Sequence, residues 1–174
     1  EIVSTRQWYI KNGGNDKKLG ERLVSLGKEV DFHPDFMRVR LEDWINGLNG
    51  DWLISRQRFF GVPLPLWYPL DAAGNPDYEN PIVPKKAQLA VDPSSETPDG
   101  YDESMRGQAT GFIGELDIMD TWATSSLNPQ LAGGWLSDPE KFEKVFPDDL
   151  RPQGQDIIRT WLFSTLVRSE LEHG

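Results

Sequence analysis

The apolar positions of this chain change rhythm several times. Ser4 to Ile10 alternates and is rich in strand formers, which predicts a strand ending at the turn Asn12-Gly13-Gly14. From about Asn15 to Val30, Leu19, Leu23, Val24 and Leu26 fall on one helical face. Asp31 to Pro34 breaks that helix. Phe36 to Leu41 reads as a short strand, and Leu41 to Leu48 as a short helix closed by Asn49-Gly50. A strand is expected at Trp52 to Ser55, then a bend near Gly61 and an extended arm to Tyr68.

Residues 69–110 lose the rhythm. They are rich in Pro, Gly, Asp and Ser and predict a long irregular insertion. Helical character returns near Ile118 and runs to about Leu127. A polar loop follows, then a short acidic helix from Pro139 to Val145. The last segment is the clearest. Leu150 to Gly154 reads as a strand end and turn, Asp156 as an N-cap, and Ile157, Ile158, Trp161, Leu162, Thr165 and Leu166 as a helix to about Leu171.

Composition narrows the possibilities. With 174 residues and 37% hydrophobic content, the chain can build one core, or one core and a small appendage. It starts without Met and stops on what reads as a last helical turn, so it is expected to be a piece of a longer protein. There is no signal peptide and no apolar run of spanning length, and a cytoplasmic location is the expectation. The net charge of -10 argues against a strong nucleic-acid grip by this chain alone, because phosphate contacts need Lys and Arg. The absence of Cys excludes disulfides and thiolate metal sites, and His33 and His173 are far apart in sequence.

Three places could carry chemistry. Around Gly154 and Asp156, a strand, a turn and a helix start make the geometry in which α/β folds place ligands. Asp156 could accept from a ribose hydroxyl while Gly154 admits a flat base; alternatively, Asp156 only caps the helix and Gly154 only turns the chain. Ile157 and Trp161 are four residues apart and share a helix face. They read as pocket wall or as ordinary core, with Trp122 as a third candidate. Arg56 and Gln57 offer a cation and an amide for phosphate or carboxylate, or a solvated strand edge. Ser125-Ser126 has no His placed as a base, so a serine nucleophile is discounted.

These segments resemble the class I aminoacyl-tRNA synthetases of the valyl, isoleucyl and leucyl branch. Trp52-Leu53-Ile54-Ser55-Arg56-Gln57-Arg58-Phe59-Phe60-Gly61-Val62-Pro63-Leu64-Pro65 resembles the strand that follows the branch's editing insertion. Asp117-Ile118-Met119-Asp120-Thr121-Trp122-Ala123-Thr124-Ser125-Ser126-Leu127 resembles the segment behind its amino-acid pocket. Gly154-Gln155-Asp156-Ile157-Ile158-Arg159-Thr160-Trp161 resembles its Gly-x-Asp helix start, and the branched residue after Asp is of the valyl type, where isoleucyl enzymes usually carry Gln.

The resemblance implies an α/β fold: part of a Rossmann-like parallel nucleotide-binding sheet, with a small α+β connective piece over 1–50 that returns from the editing insertion. Residues 51–174 would be the second half of the catalytic domain, interrupted by 69–110. It implies a valine side-chain pocket of Trp122, Ile157 and Trp161, adenosine contacts from Gly154 and Asp156, and lesser active-site or tRNA-end contacts from Arg56 and Gln57. No covalent nucleophile is expected on the protein. The implied partners are valine, ATP as substrate, tRNA(Val) and the remaining domains of the same synthetase. Magnesium is expected with ATP, held mainly outside these residues.

Two departures matter. Many valyl relatives carry a Cys-based zinc knuckle within the part matching 69–110. A chain without Cys cannot, so Trp67, Tyr68, Tyr78 and Tyr101 are expected to hold that loop by packing. The branch's His-x-Gly-His and Lys-Met-Ser-Lys-Ser elements are also absent. The chain alone is therefore expected not to aminoacylate. A sister specificity for isoleucine or leucine, and a non-catalytic synthetase-like module, stand as alternatives.

Overall fold

The helical rhythm near the start of the chain becomes a helical hairpin. In the computed structural model, which describes residues 4–174, strand β1 (Tyr9–Ile10) leads through the glycine turn into α1 (Lys17–Glu29). Asp16 starts that helix. Its carboxylate accepts from the backbone N–H groups of Lys18 and Leu19 at 3.1 and 3.2 Å. The strand expected at Phe36 to Leu41 is instead helical: a 3₁₀ turn, Asp35–Met37, runs into α2 (Arg38–Asn46). Met37, Leu41 and Ile45 recur every four residues, and that spacing buries Leu41 and Ile45 on one face. Gly27 of α1 admits Leu41 closely; a Cβ on Gly27 would stand 2.9 Å from the Leu41 Cδ2.

The expected strand at Trp52 to Ser55 divides at Ile54. Strand β2 (Trp52–Leu53) pairs antiparallel with β1, and β3 (Ser55–Arg56) pairs antiparallel with β6 (Ile118–Met119). Between them, β4 (Trp67–Pro69) pairs antiparallel with β5 (Phe112–Gly114). Ile118 and Met119, expected to be helical, are thus in a strand. The helix starts only at α3 (Thr121–Ser125), where Asp120 caps it by accepting from the Trp122 N–H at 2.9 Å.

A polar loop was expected next, but α4 (Asn128–Gly133) forms, opened by Pro129 and closed by Gly134 in the left-handed conformation. Helix α5 (Pro139–Val145) and a final α6 (Phe163–His173) follow. The mixed helix and strand content is as expected. The three ladders among the described residues are all two-stranded and antiparallel. The expected strand end at Leu150 to Gly154 has no regular secondary structure and no ladder partner among them. Parallel strands need a neighbour delivered by a crossover, and no described segment supplies one here.

The chain forms two compact units. One joins the stretch up to Ile54 with Asp120–Gly174; the other is Ser55–Met119. The first is built on Leu23, Leu41, Ile45, Ile158, Leu162, Phe163 and Val167. Its two arms are stitched where the Asp120 N–H donates to the Ile54 carbonyl at 2.6 Å. The second has little regular structure and is organised by aromatic residues and one arginine. Trp67 and Phe112 are buried, Tyr68 stacks edge-on with Tyr78 at 4.7 Å and Tyr101 with Phe112 at 5.3 Å. Arg106 donates to the carbonyls of Pro93 and Glu96, both at 2.9 Å, pairs with Glu103, and lies 4.9 Å from the Phe112 ring centre. The four aromatic residues expected to hold the loop do take part; Arg106 and Phe112 were not anticipated. Among the described residues, no helix is long and apolar enough to cross a membrane.

Candidate amino-acid and nucleotide site

The site residues expected at the end of the chain lie on a helix that changes pitch twice. A 3₁₀ turn, Gln155–Ile157, is followed by a π turn, Ile158–Leu162, and only then by α6. A π turn inserts an extra residue into a helix and is often found where side chains are aimed for function. Here it spans Trp161. Ile158 and Leu162 go to the core, whereas Ile157 is only half-buried.

Asp156 is not the N-cap expected of it. Gly154 occupies that position, no side chain caps the turn, and Asp156 lies one residue inside it. Its carboxylate is exposed and engages no donor among the described residues. Packing and capping therefore leave this acid without a role inside the chain. Gly154 is similar. Its φ of -69° suits any residue, and a Cβ built there would meet nothing within 4 Å. Neither the backbone nor the surroundings require glycine at that point, so the open face above it is available to something outside the chain.

Trp161 is held from several sides. Its indole Nε1–H donates to the Ser125 carbonyl at 3.0 Å, at the end of α3, the helix that carries Trp122. Arg168, two turns further along α6, secures the same helix. Its Nε donates to the Ser126 Oγ at 2.8 Å and its Nη2 to the Ala123 carbonyl at 3.0 Å. The Arg151 guanidinium lies over the Trp161 ring, 4.0 Å from its centre. Burial pulls both guanidinium groups below their ordinary pKa, partly opposed by Asp148 for Arg151 and by Glu172 for Arg168.

The structure thus joins the Trp122 helix to the Trp161 segment and leaves Ile157, Asp156 and Gly154 on the turn just before. Arg56 and Gln57 belong to the other unit. There the Arg56 Nη1 donates to the Ser55 carbonyl at 2.8 Å, and the Gln57 amide donates to the Asp117 carboxylate at 2.7 Å. Arg151, Thr165 and Arg168 were missed as parts of the site. A signal was present, since Trp161, Thr165 and Arg168 are spaced to share one helix face. Among the described residues, no group of three or more His, Asp or Glu is placed to hold a metal ion.

Known proteins place this arrangement in a class. The family model for tRNA synthetases class I (I, L, M and V) matches residues 1–171, so the chain belongs to that family. Within it, the chain is 68% identical over 173 residues to a valine–tRNA ligase of Thermobifida fusca, with 99% of this chain and 20% of the relative covered. It is 69% identical over 174 residues to a valine–tRNA ligase of Leifsonia xyli, covering all of this chain and 20% of that relative. A valine–tRNA ligase of Salinispora tropica is 59% identical over 172 residues, again 99% of this chain and 20% of the relative. The chain spans about a fifth of the length of these curated relatives.

Proposed function

We propose that this chain is the part of a valine–tRNA ligase that receives the valine side chain and the adenosine of ATP. The observation that carries the reading is Asp156: an exposed carboxylate that engages no partner among the described residues, beside the open face of Gly154, at the start of the helix that positions Trp161. In this reading Asp156 accepts from a ribose hydroxyl and the Gly154 backbone passes under the adenine. Trp122, Ile157 and Trp161 enclose the side chain of valine. The one polar atom of the Trp161 side chain is already bonded to Ser125, so that part of the wall offers no free donor to a hydroxyl. Valine is preferred over isoleucine and leucine by the rigidity of the aromatic walls. Threonine is rejected only modestly, because an apolar pocket has little with which to exclude an isostere. Names borne by relatives over 60% identical support valine as the amino acid.

The reaction proposed for the whole protein is attack of the valine carboxylate on the α-phosphate of ATP, releasing pyrophosphate. A terminal ribose hydroxyl of tRNA(Val) then attacks the carbonyl of the resulting valyl-adenylate, which forms the ester, breaks the acyl–phosphate bond and releases AMP. In this reading the triphosphate and its magnesium are held mainly by other segments of the protein. In the same reading, Leu150 to Gln153 joins a parallel Rossmann-like sheet completed by strands outside this chain, and 1–50 connects it to the editing insertion. Arg56 and Gln57 are lesser candidates for contacts near the tRNA end.

The test is amino-acid-dependent ATP–pyrophosphate exchange by the full-length protein with valine, threonine, isoleucine and leucine. Strong exchange with valine, less with threonine and little with the others is the expected result, and Asp156→Ala should raise the KM for ATP. A preference for isoleucine or leucine would overturn the specificity, and exchange with none of them would indicate a non-catalytic module.

A further inference from the structure

We infer that Arg151 is a positioning residue for the amino-acid pocket, one that sets the plane of the Trp161 ring through its guanidinium and through Thr165. The inference rests on the proposed pocket and extends it to a residue that no pocket motif contains.

Four observations carry it. The guanidinium carbon lies over the indole, 4.0 Å from the ring centre, close enough for a cation–π contact. Its Nη2 donates to the Thr165 Oγ at 2.7 Å, and that hydroxyl donates in turn to the Trp161 carbonyl at 2.7 Å. Arg151 thus grips Trp161 by the ring and, through Thr165, by its backbone. Third, no carboxylate oxygen lies within ion-pair distance of Arg151 among the described residues, and its Nε is buried without a hydrogen-bond partner. A half-buried guanidinium in that state carries a desolvation cost that the charge of Asp148 offsets only in part. Its contacts with Trp161 and Thr165 also hold it there.

The last observation is the π turn itself. The Trp161 carbonyl lies where helical bonding is irregular, so a side-chain hydroxyl can take it up. A ring set only by backbone geometry would be least constrained at such a turn. The indole bond to Ser125 tethers one edge of the ring, and the Arg151 stack fixes its tilt about that tether. A side-chain pocket that separates valine from a residue one methylene larger needs that tilt held to a fraction of an ångström.

The test uses the full-length protein in the exchange assay. Arg151→Ala should raise the KM for valine about tenfold, leave kcat and the KM for ATP within about twofold, and narrow the preference for valine over isoleucine. Arg151→Lys, which keeps the charge but loses the flat stack, should recover only part of the loss. If Arg151→Ala fails to fold, Thr165→Val decides, since it keeps the shape and deletes the bridging hydroxyl; the same selective rise in valine KM is expected. An unchanged valine KM in the folded variants overturns the inference. So does an equal rise in the KM for ATP, which would make Arg151 a nucleotide contact. If the unaltered protein itself shows no valine-dependent exchange, the pocket reading fails first, and the two failures are told apart by that control.

Discussion

At the residue scale, the most telling groups are those that the fold leaves without work. A capping Asp was the simplest expectation for position 156, and the structure moves the cap position to Gly154. The difference arises because the helix opens with a 3₁₀ turn rather than an α turn, which shifts its start by two residues. No pattern of apolar spacing encodes that shift. Glycine at 154 gives a clean separation of fold from binding. Gly154→Ala meets no atom within 4 Å and no strained φ, so the melting temperature should be unchanged within about a degree or two. The KM for ATP of the full-length protein should nevertheless rise severalfold if adenine lies against that backbone. Melting and exchange kinetics on the same preparation check both halves. A loss of stability would assign Gly154 to the fold instead.

At the element scale, strongly periodic segments were legible and the irregular ones were not. The helix at Lys17–Glu29 follows from its apolar spacing and the acidic helix at Pro139–Val145 was expected as well, while Asp16 and Asp138 emerge as their caps only in the structure. Phe36 to Leu41 was misread because its alternation is short, while the four-residue recurrence of Met37, Leu41 and Ile45 extends beyond it. Residues 69–110 gave almost no rhythm, because the unit around them is held by point contacts rather than by a periodic face. Arg106 is the clearest of these: one guanidinium ties together the backbone near Pro93 and Glu96, the turn at Glu103 and the Phe112 ring. Arg106→Ala leaves two carbonyls without their donor and should cost roughly 2–3 kcal/mol, read as a lower chemical-denaturation midpoint.

The same unit should also loosen in acid. Hydrogen bonds from Ser94 hold Asp92 below its ordinary pKa, those from Ser104 do the same for Asp102, and the Arg106 side chain does so for Glu103. Carboxylates with depressed folded pKa values stabilise above the ordinary carboxylate range and lose that contribution as pH falls through the folded values. Amide protection factors over 92–106, corrected for the pH dependence of intrinsic exchange, should therefore be constant from neutral pH down to about pH 5 and fall below about pH 4. A profile that changes near neutrality instead would contradict this account.

For the whole molecule, the family was legible because three separated motifs occur in order, each tied to a local structure that the chain forms by itself. The parallel sheet expected from the resemblance is not among the described ladders, and pairing is a property of neighbours rather than of one segment's own sequence. Leu150 to Gln153 takes part in no ladder among the described residues, while the described ladders are short and antiparallel. The chain matches only about a fifth of the length of its valine–tRNA ligase relatives. The 174-residue chain purified alone should thus give no detectable charging of tRNA(Val) with valine under conditions where the full-length protein is active. Turnover by the isolated chain would show that the remaining segments are dispensable for catalysis.

The stitch between Ile54 and Asp120 has a consequence for how such proteins change over time. Because the chain leaves and returns at two hydrogen-bonded neighbours, everything strung between them is a loop with a closed neck. Lengthening, shortening or replacing that loop does not alter the closure of the neck and so asks little of the body it hangs from. For the protein engineer the same neck is a ready graft point, at which a foreign domain with closely spaced ends can be installed without disturbing the helix that carries Trp161.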